Sequence, residues 1–342
     1  MRADAHYIGG GKTAATAHRG RIQVERQRLD CVAIMCTKPP VIILLAMLCA
    51  MRTSAQELEP RAYSASPIGT NFLLVGIGRS SGGVVFDPTV PITDVHADIN
   101  AATLGAGRTF NLGGHLLLGT IALPYVWGDI TGKVFEEAAS TTRSGLGDAR
   151  MKVSVNLLGT PALTPAEFAK APRRTNIGTS LTVAAPAGQY YPGKLINIGT
   201  NRWAFKPEVG YTGRVGSFVL DAYAGLWLFT ANDRFYQGDS TRRQDPLFVV
   251  QGHASYNITR RAWAAVNATW YGGADVRVDG GPPSARQNNA RLGATLSLPA
   301  GIRQSVKIAY SGGASTRTGA DFTTLAVAWQ YLWFDRTSPK RP

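Results

Sequence analysis

Residues 150–157 read RMKVSVNL, and this short stretch carries the clearest fold signal in the chain. Its odd-numbered residues, from Met151 to Leu157, are apolar, and its even-numbered residues, from Arg150 to Asn156, are polar. Because successive side chains of a β-strand point to opposite faces, the alternation predicts a strand with one apolar and one polar face. Residues 290–298, ARLGATLSL, repeat the pattern.

Segments of this kind recur along most of the chain and predict an all-β fold. We predict twelve strands, at residues 70–79, 94–111, 115–127, 147–158, 176–185, 203–215, 218–230, 246–258, 262–271, 288–298, 304–310 and 321–334. An even number of antiparallel strands is typical of bacterial transmembrane β-barrels. The alternative is a secreted β-sandwich, but sandwich strands are usually about five or six residues long. The lengths therefore favour an up-and-down transmembrane barrel over residues 70–334.

The connections between these strands alternate in length. Short turns are predicted at residues 112–114, 214–217, 259–261 and 299–303, and long loops at residues 80–93, 128–143, 186–202, 231–245, 272–287 and 311–320. Short turns on the periplasmic rim and long loops outside are the usual arrangement in outer-membrane barrels. Residues 159–175 break the rule, since they are long but fall on the short-turn side.

The N-terminal region has the layout of an export signal. Residues 35–55 read MCTKPPVIILLAMLCAMRTSA, in which Lys38 precedes a short apolar core and small residues precede Gln56. This pattern predicts a signal peptide cleaved near 55/56, and residues 1–34 are then a dispensable extension. We expect residues 56–69 to form a periplasmic tail and residues 335–342 a C-terminal extension. The GGGKT at residues 9–13 lacks the first glycine of a phosphate-binding loop, where His6 stands.

Several features bear on binding partners. The formal charge is +14, but the basic residues are scattered, so we expect no nucleic-acid partner. In the final segment, residues 325–334, large apolar residues occupy alternate positions, at Leu325, Val327, Trp329, Tyr331 and Trp333. Final strands of this kind resemble the signal that the outer-membrane assembly machinery reads. We expect the outward faces to contact membrane lipid and lipopolysaccharide. The loop arginines Arg202, Arg242, Arg243 and Arg286 are expected to be solvated or to bind lipopolysaccharide phosphates.

Parts of the chain resemble a bacterial family of outer-membrane transporters named for the meta-cleavage pathway of phenol degradation. The matching text includes ELEPRAYSASPIGTNFLLVG at residues 57–76, RSGLGDARMKVSVNLLG at 143–159 and GADFTTLAVAWQYLWF at 319–334. The resemblance extends over residues 57–334. It implies an outer-membrane barrel that transports small organic compounds, some of them aromatic, and it implies no catalytic residues.

If the apolar faces meet lipid, the polar faces line the lumen. The charged and titratable candidates for this lining are Asp98, Arg108, Arg150, Lys152, Lys206, Glu208, Asp221, His253, Arg291 and Lys307. Their positive excess would favour anionic solutes in a channel. Alternatively, these charges pair with one another and stiffen the wall.

A lipid-modifying enzyme is the competing hypothesis, and a structural or adhesive barrel is another. His253 and Ser255 lie two residues apart on one strand and therefore share a face. That face is opposite the apolar one, so it would look into the lumen and away from lipid. No metal-ligand spacing and no cofactor motif occurs in the sequence, and we predict a channel rather than an enzyme.

Overall fold

The computed structural model describes residues 59–85, 92–134, 136–236 and 238–335. The predicted signal peptide and extension at residues 1–55 lie outside these residues, as do residues 336–342. The described part contains one short helix, α1 (Pro165–Lys170), and sixteen strands. The strands are β1 (Thr70–Val85), β2 (Ile92–Leu112), β3 (His115–Val134), β4 (Glu137–Leu146), β5 (Ala149–Leu158), β6 (Asn176–Ala185), β7 (Ala204–Val215), β8 (Phe218–Phe229), β9 (Asn232–Phe235), β10 (Ser240–Gln244), β11 (Leu247–Asn257), β12 (Trp263–Gly273), β13 (Val276–Val278), β14 (Gln287–Pro299), β15 (Gln304–Ser315) and β16 (Gly319–Phe334).

Twelve antiparallel strands form a closed barrel, which confirms the predicted fold class. Each barrel strand pairs with the barrel strands before and after it, so that β8 pairs with β11 and β12 with β14. β16 pairs with β1 to close the ring, with Trp329 opposite Val75. β4 and β5 together occupy one position, because both pair with β3, β4 with its second half and β5 with its first. The barrel begins at Thr70 and ends at Phe334.

The outer surface of the barrel is apolar. In β11 the residues alternate between buried and exposed, and Phe248 and Val250 are 55% and 50% exposed. Val209 on β7 and Val266 on β12 are likewise 60% and 65% exposed. A contiguous apolar band on a closed barrel is stable only against lipid, since soluble proteins rarely leave so large an apolar area in water. Within the residues described, no helix has the length and apolar content that a membrane span requires.

The two rims differ as the sequence predicts. The short connections at 113–114, 216–217, 258–262 and 300–303 lie on one rim, which also carries α1. Thr164 and Glu167 form a capping box at the start of α1, which accounts for the helical turn inside residues 159–175. By the usual arrangement of outer-membrane barrels, this rim is periplasmic.

Several predicted loops on the opposite rim are strands instead. Residues 80–85 continue β1, and residues 128–134 and 137–143 belong to β3 and β4. Backbone pairing continues through these hairpins beyond the apolar band, where both faces of a strand meet water and alternation is no longer required. Residues 231–245 and 272–287 supply β9, β10 and β13, which form a separate three-stranded sheet.

Candidate functional site in the barrel lumen

Most of the predicted lumen residues lie on the inner face of the barrel wall. On β7, Lys206 and Glu208 alternate with the lipid-facing Val209 and are both 3% exposed. The same alternation assigns the inner face to eight of the ten candidates: Arg150, Lys152, Lys206, Glu208, Asp221, His253, Arg291 and Lys307.

Asp98 and Arg108 lie instead on the outer face of β2. Both share the parity of Leu104 and Phe110, which are 56% and 43% exposed, whereas Ala97 and Ile99 are buried on the inner face. Asp98 pairs with Arg79 at 3.0 Å, and Arg108 pairs with Asp335 at 2.8 Å. The polarity of the two residues is explained by their position along the barrel axis. They lie toward the ends of a long strand, where outward side chains meet water or lipid headgroups.

An N-terminal segment, defined here as residues 59–69, occupies the periplasmic part of the lumen instead of forming the expected periplasmic tail. Its anchor is Tyr63, which is 1% exposed. The Tyr63 ring packs against the backbone of Gly178 and Gly210, where a Cβ atom would approach the ring to 2.6 and 2.0 Å. Only glycine allows the ring to lie so close to the wall.

Polar contacts fix the same segment. The Tyr63 hydroxyl donates a hydrogen bond to Glu208 Oε1 at 3.1 Å and also bonds the Ser180 hydroxyl at 2.9 Å. The Arg61 backbone N–H donates to Asp221 Oδ2 at 3.1 Å, and the Arg61 guanidinium lies 4.4 Å from the ring centre of Trp263. The segment is therefore held by packing and by charge.

A chain of alternating charges runs from this segment into the wall. Glu59 accepts a hydrogen bond from Lys152 at 3.0 Å, Lys152 lies 3.8 Å from Glu208, and Lys206 donates to Glu208 at 2.7 Å. The Lys152 ammonium holds the pKa of the Glu59 carboxyl at about 2, below its ordinary value of 4.5. Although 61% of the Glu59 side chain is open to the lumen, its position among lysines keeps it ionised.

The histidine candidate for catalysis lies in the polar interior. His253 Nδ1 bonds the Asn267 side-chain oxygen at 2.9 Å, and His253 stands opposite Asp221 in the register. Its Nε2 atom and the Ser255 hydroxyl are both buried without a hydrogen-bond partner among the described residues. A nucleophile–base hydrogen bond, which a triad requires, is thus not formed between them. The described residues also contain no group of three side chains arranged to hold a metal ion.

Beyond the N-terminal segment, toward the extracellular rim, the lumen contains a cavity of about 370 Å³. Aromatic rings and cations meet repeatedly in its wall. Lys206 lies 5.7 Å from the ring centre of Trp227, Arg202 lies 4.7 Å from that of Phe229, and Arg242 lies 5.7 Å from that of Phe235.

Two of the loop arginines expected to be solvated are in fact buried at this cavity. Arg202 is 3% exposed and Arg242 is 5% exposed. The sequence offered no sign of this, because the burial depends on the small sheet of β9, β10 and β13, which forms from loops without a clear alternating pattern.

Comparison with solved structures gives the fold. The COG4313 outer membrane channel from Pseudomonas putida F1 matches with a TM-score of 0.69 and 18% identity, over 81% of this chain and 100% of that one. The transport unit of the autotransporter AIDA-I from Escherichia coli matches at 0.47 and 12% identity, over 83% and 94% of the two chains. The TodX monoaromatic hydrocarbon channel also matches at 0.47, with 9% identity and coverages of 81% and 93%. No curated protein matches the sequence significantly.

The family assignment rests on the sequence itself. A family model described as "Putative MetA-pathway of phenol degradation" matches residues 78–331, which span most of the barrel. The closed barrel and its apolar outer band place the chain in the bacterial outer membrane. The chain therefore belongs to this phenol-degradation family, as an outer-membrane β-barrel.

Proposed function

We propose that this barrel is a channel for small organic solutes and that it favours anions. The observation that carries the proposal is a closed barrel whose inner wall surrounds a cavity with an excess of cations. Among the residues that the structure describes, Arg150, Lys152, Lys206, Arg202 and Arg242 border the cavity, and the carboxylates that border it are Glu59 and Asp148.

The arrangement of these charges supports a preference for anions. Glu59 is already engaged by Lys152, and Asp148 accepts hydrogen bonds from Thr200 and from the Gly188 backbone. The field inside a low-dielectric tube is focused along its axis, so a surplus of fixed cations raises the local concentration of anions. The aromatic rings between the cations give apolar parts of a solute a surface to contact.

The N-terminal segment sets the condition for transport. It occupies the lumen between the periplasmic rim and the cavity, so we expect the passage of a solute to require that the segment leaves its seat or shifts within it. The proposal thus describes a gated channel rather than an open pore. The name of the family to which the chain belongs refers to phenol degradation, and this supports small organic compounds as the solutes.

Solute influx into proteoliposomes tests the proposal. Liposomes that contain the purified chain are placed in isotonic arabinose or in potassium gluconate with valinomycin, and swelling is followed by light scattering. We expect swelling in both solutes, faster with gluconate. A double variant, Arg150→Gln with Lys307→Gln, removes two inner cations and should reduce the gluconate-to-arabinose ratio. Arg260→Gln, in an exposed periplasmic turn, is the matched control. Absence of swelling from correctly folded protein, both in the wild type and in the Tyr63→Ala variant whose segment is released, would contradict a channel.

A further inference from the structure

The extracellular cover of the cavity contains a buried guanidinium. Strand β10 presents Arg242 and Gln244 to the interior, where they are 5% and 9% exposed. Arg243, between them, points outward and is exposed. Alternation along β10 thus selects one arginine for the cavity and leaves its neighbour in solvent.

Arg242 pairs with no carboxylate in the part of the chain that the structure describes. Among the described residues it forms no ion pair, its Nε atom has no hydrogen-bond partner, and its Nη2 atom donates only a long bond of 3.5 Å to Gln244 Oε1. Burial lowers the pKa of the Arg242 guanidinium to about 10, as expected for a cation taken out of water without a nearby anion. Buried charges in proteins are normally paired, and the described residues supply no counter-charge for Arg242.

A second guanidinium converges on the same acceptor. Arg202 Nη2 donates to Gln244 Oε1 at 2.6 Å, so two cations share one neutral amide oxygen. Like charges brought together in a buried site repel each other, so the nearby Arg202 adds to the preference of Arg242 for an anion. Of the described carboxylates at the cavity, neither pairs with Arg242, since Glu59 is bound to Lys152 and Asp148 to Thr200.

The surroundings of Arg242 define the rest of the ligand. The ring of Phe235 lies beside Arg242, that of Phe229 lies beside Arg202, and both border the cavity. A volume of about 370 Å³ is in the range of small-molecule sites, roughly 300–1,000 Å³. A guanidinium matches the two oxygens of a carboxylate, and aromatic rings match a planar apolar group.

We infer that the cavity is a binding site for a monoaromatic carboxylate, with its carboxylate on Arg242 and its ring against Phe235 and Phe229. This inference rests on the proposed channel function and names its solute class. Neutral aromatic compounds lack the group that Arg242 requires, and short aliphatic carboxylates lack the ring.

Calorimetric titration of the purified full chain in detergent tests the site directly. The probes are benzoate, benzyl alcohol and acetate. We expect saturable binding of benzoate at one site and binding at least about tenfold weaker for the other two. Arg242→Gln should weaken benzoate binding by about tenfold or more, as expected for the loss of a charge-assisted hydrogen bond. Arg243→Gln, which removes the same charge from the adjacent outward position, should leave it unchanged.

The other outcomes of these experiments also support or contradict the binding site. Heat-modifiable migration on gels reports whether each variant is folded. If Arg242→Gln does not fold, Arg242→Lys replaces it in the test. Lysine keeps the positive charge but lacks the two parallel N–H donors of the guanidinium, so Arg242→Lys should still weaken benzoate binding relative to Arg243→Lys. No saturable benzoate binding by the wild type, or equal weakening by changes at 242 and 243, would overturn the site. Benzoate binding by a chain that admits no solute into liposomes would contradict the channel but leave the site. Solute influx without benzoate binding would contradict the site but leave the channel.

Discussion

Replacement of Tyr63 by alanine should release the N-terminal segment from the lumen. The Tyr63 side chain is almost completely buried, and truncating a buried aromatic residue to alanine usually costs about 3–5 kcal/mol. If about 4 kcal/mol is lost from docking of the segment, the ratio of docked to undocked molecules falls by about a thousandfold. A segment that is almost always docked in the wild type would then be undocked for a large part of the time.

Single-channel recording in planar bilayers measures this change as an increase in open probability. Tyr63→Phe is the matched control, because it keeps the ring and removes only the hydroxyl bonds to Ser180 and Glu208. The loss of hydrogen bonds costs about 1–2 kcal/mol, so the increase should be roughly tenfold. An open probability for Tyr63→Ala equal to that of the wild type would show that Tyr63 does not hold the segment in the lumen.

A change in the wall should act in the same direction. A Cβ atom at Gly210 would lie 2.0 Å from Tyr63 Cε2, whereas carbon atoms in contact normally stay about 3.5 Å apart or more. Gly210→Ala should therefore displace the Tyr63 ring and raise the open probability. At Gly252, on the neighbouring part of the wall, a Cβ atom would meet nothing within 4 Å, so Gly252→Ala should have no such effect. Equal behaviour of the two variants would contradict a seat formed by Gly210.

Three further predictions concern the charges of the lumen and of the outer face. Lys206→Met should destabilise the barrel by about 3 kcal/mol in urea unfolding, because it removes the nearest partner of the buried Glu208, and adding Glu208→Leu should recover most of the loss. Because the pKa of Glu59 is lowered from 4.5 to about 2, the contribution of its ion pair to docking is complete above pH 4.5 and is lost as the pH falls toward 2. Open probability should thus be constant from pH 5 to pH 8, and a rise within that range would contradict the role of this pair. Asp98→Asn should leave ion selectivity unchanged, since Asp98 faces outward, and a changed selectivity would argue that it lines the pore.

The alternation of apolar and polar side chains predicts most of the strands, and the structure shows where the alternation ends. Within the membrane, one face of each strand meets lipid, so a pattern such as that of residues 150–157 is enforced and can be recognised. Above the membrane, both faces meet water. Residues 80–85 and 137–143 therefore lack the pattern, although they are paired strands. Local sequence cannot distinguish such extensions from loops.

The lumen was only partly predictable for a different reason. Alternation shows which side chains face the lumen, but it does not show what occupies the lumen. Residues 59–69 have no periodicity that predicts their entry into the barrel. The available signal was glycine in strand interiors, at Gly178 and Gly210, which indicates close approach of another group. The outward position of Asp98 and Arg108 was also readable, since both share the parity of Leu104.

The reversal potential of the Tyr63→Ala variant in planar bilayers shows whether the lumen is a gated path with a preference for anions. A tenfold gradient of potassium chloride is applied across the membrane, and the potential at zero current is read from single-channel steps. We expect discrete openings whose reversal potential has the sign of chloride selectivity. A potential of the potassium sign would contradict the role of the inner cations, and the absence of any openings from folded protein would contradict the channel itself.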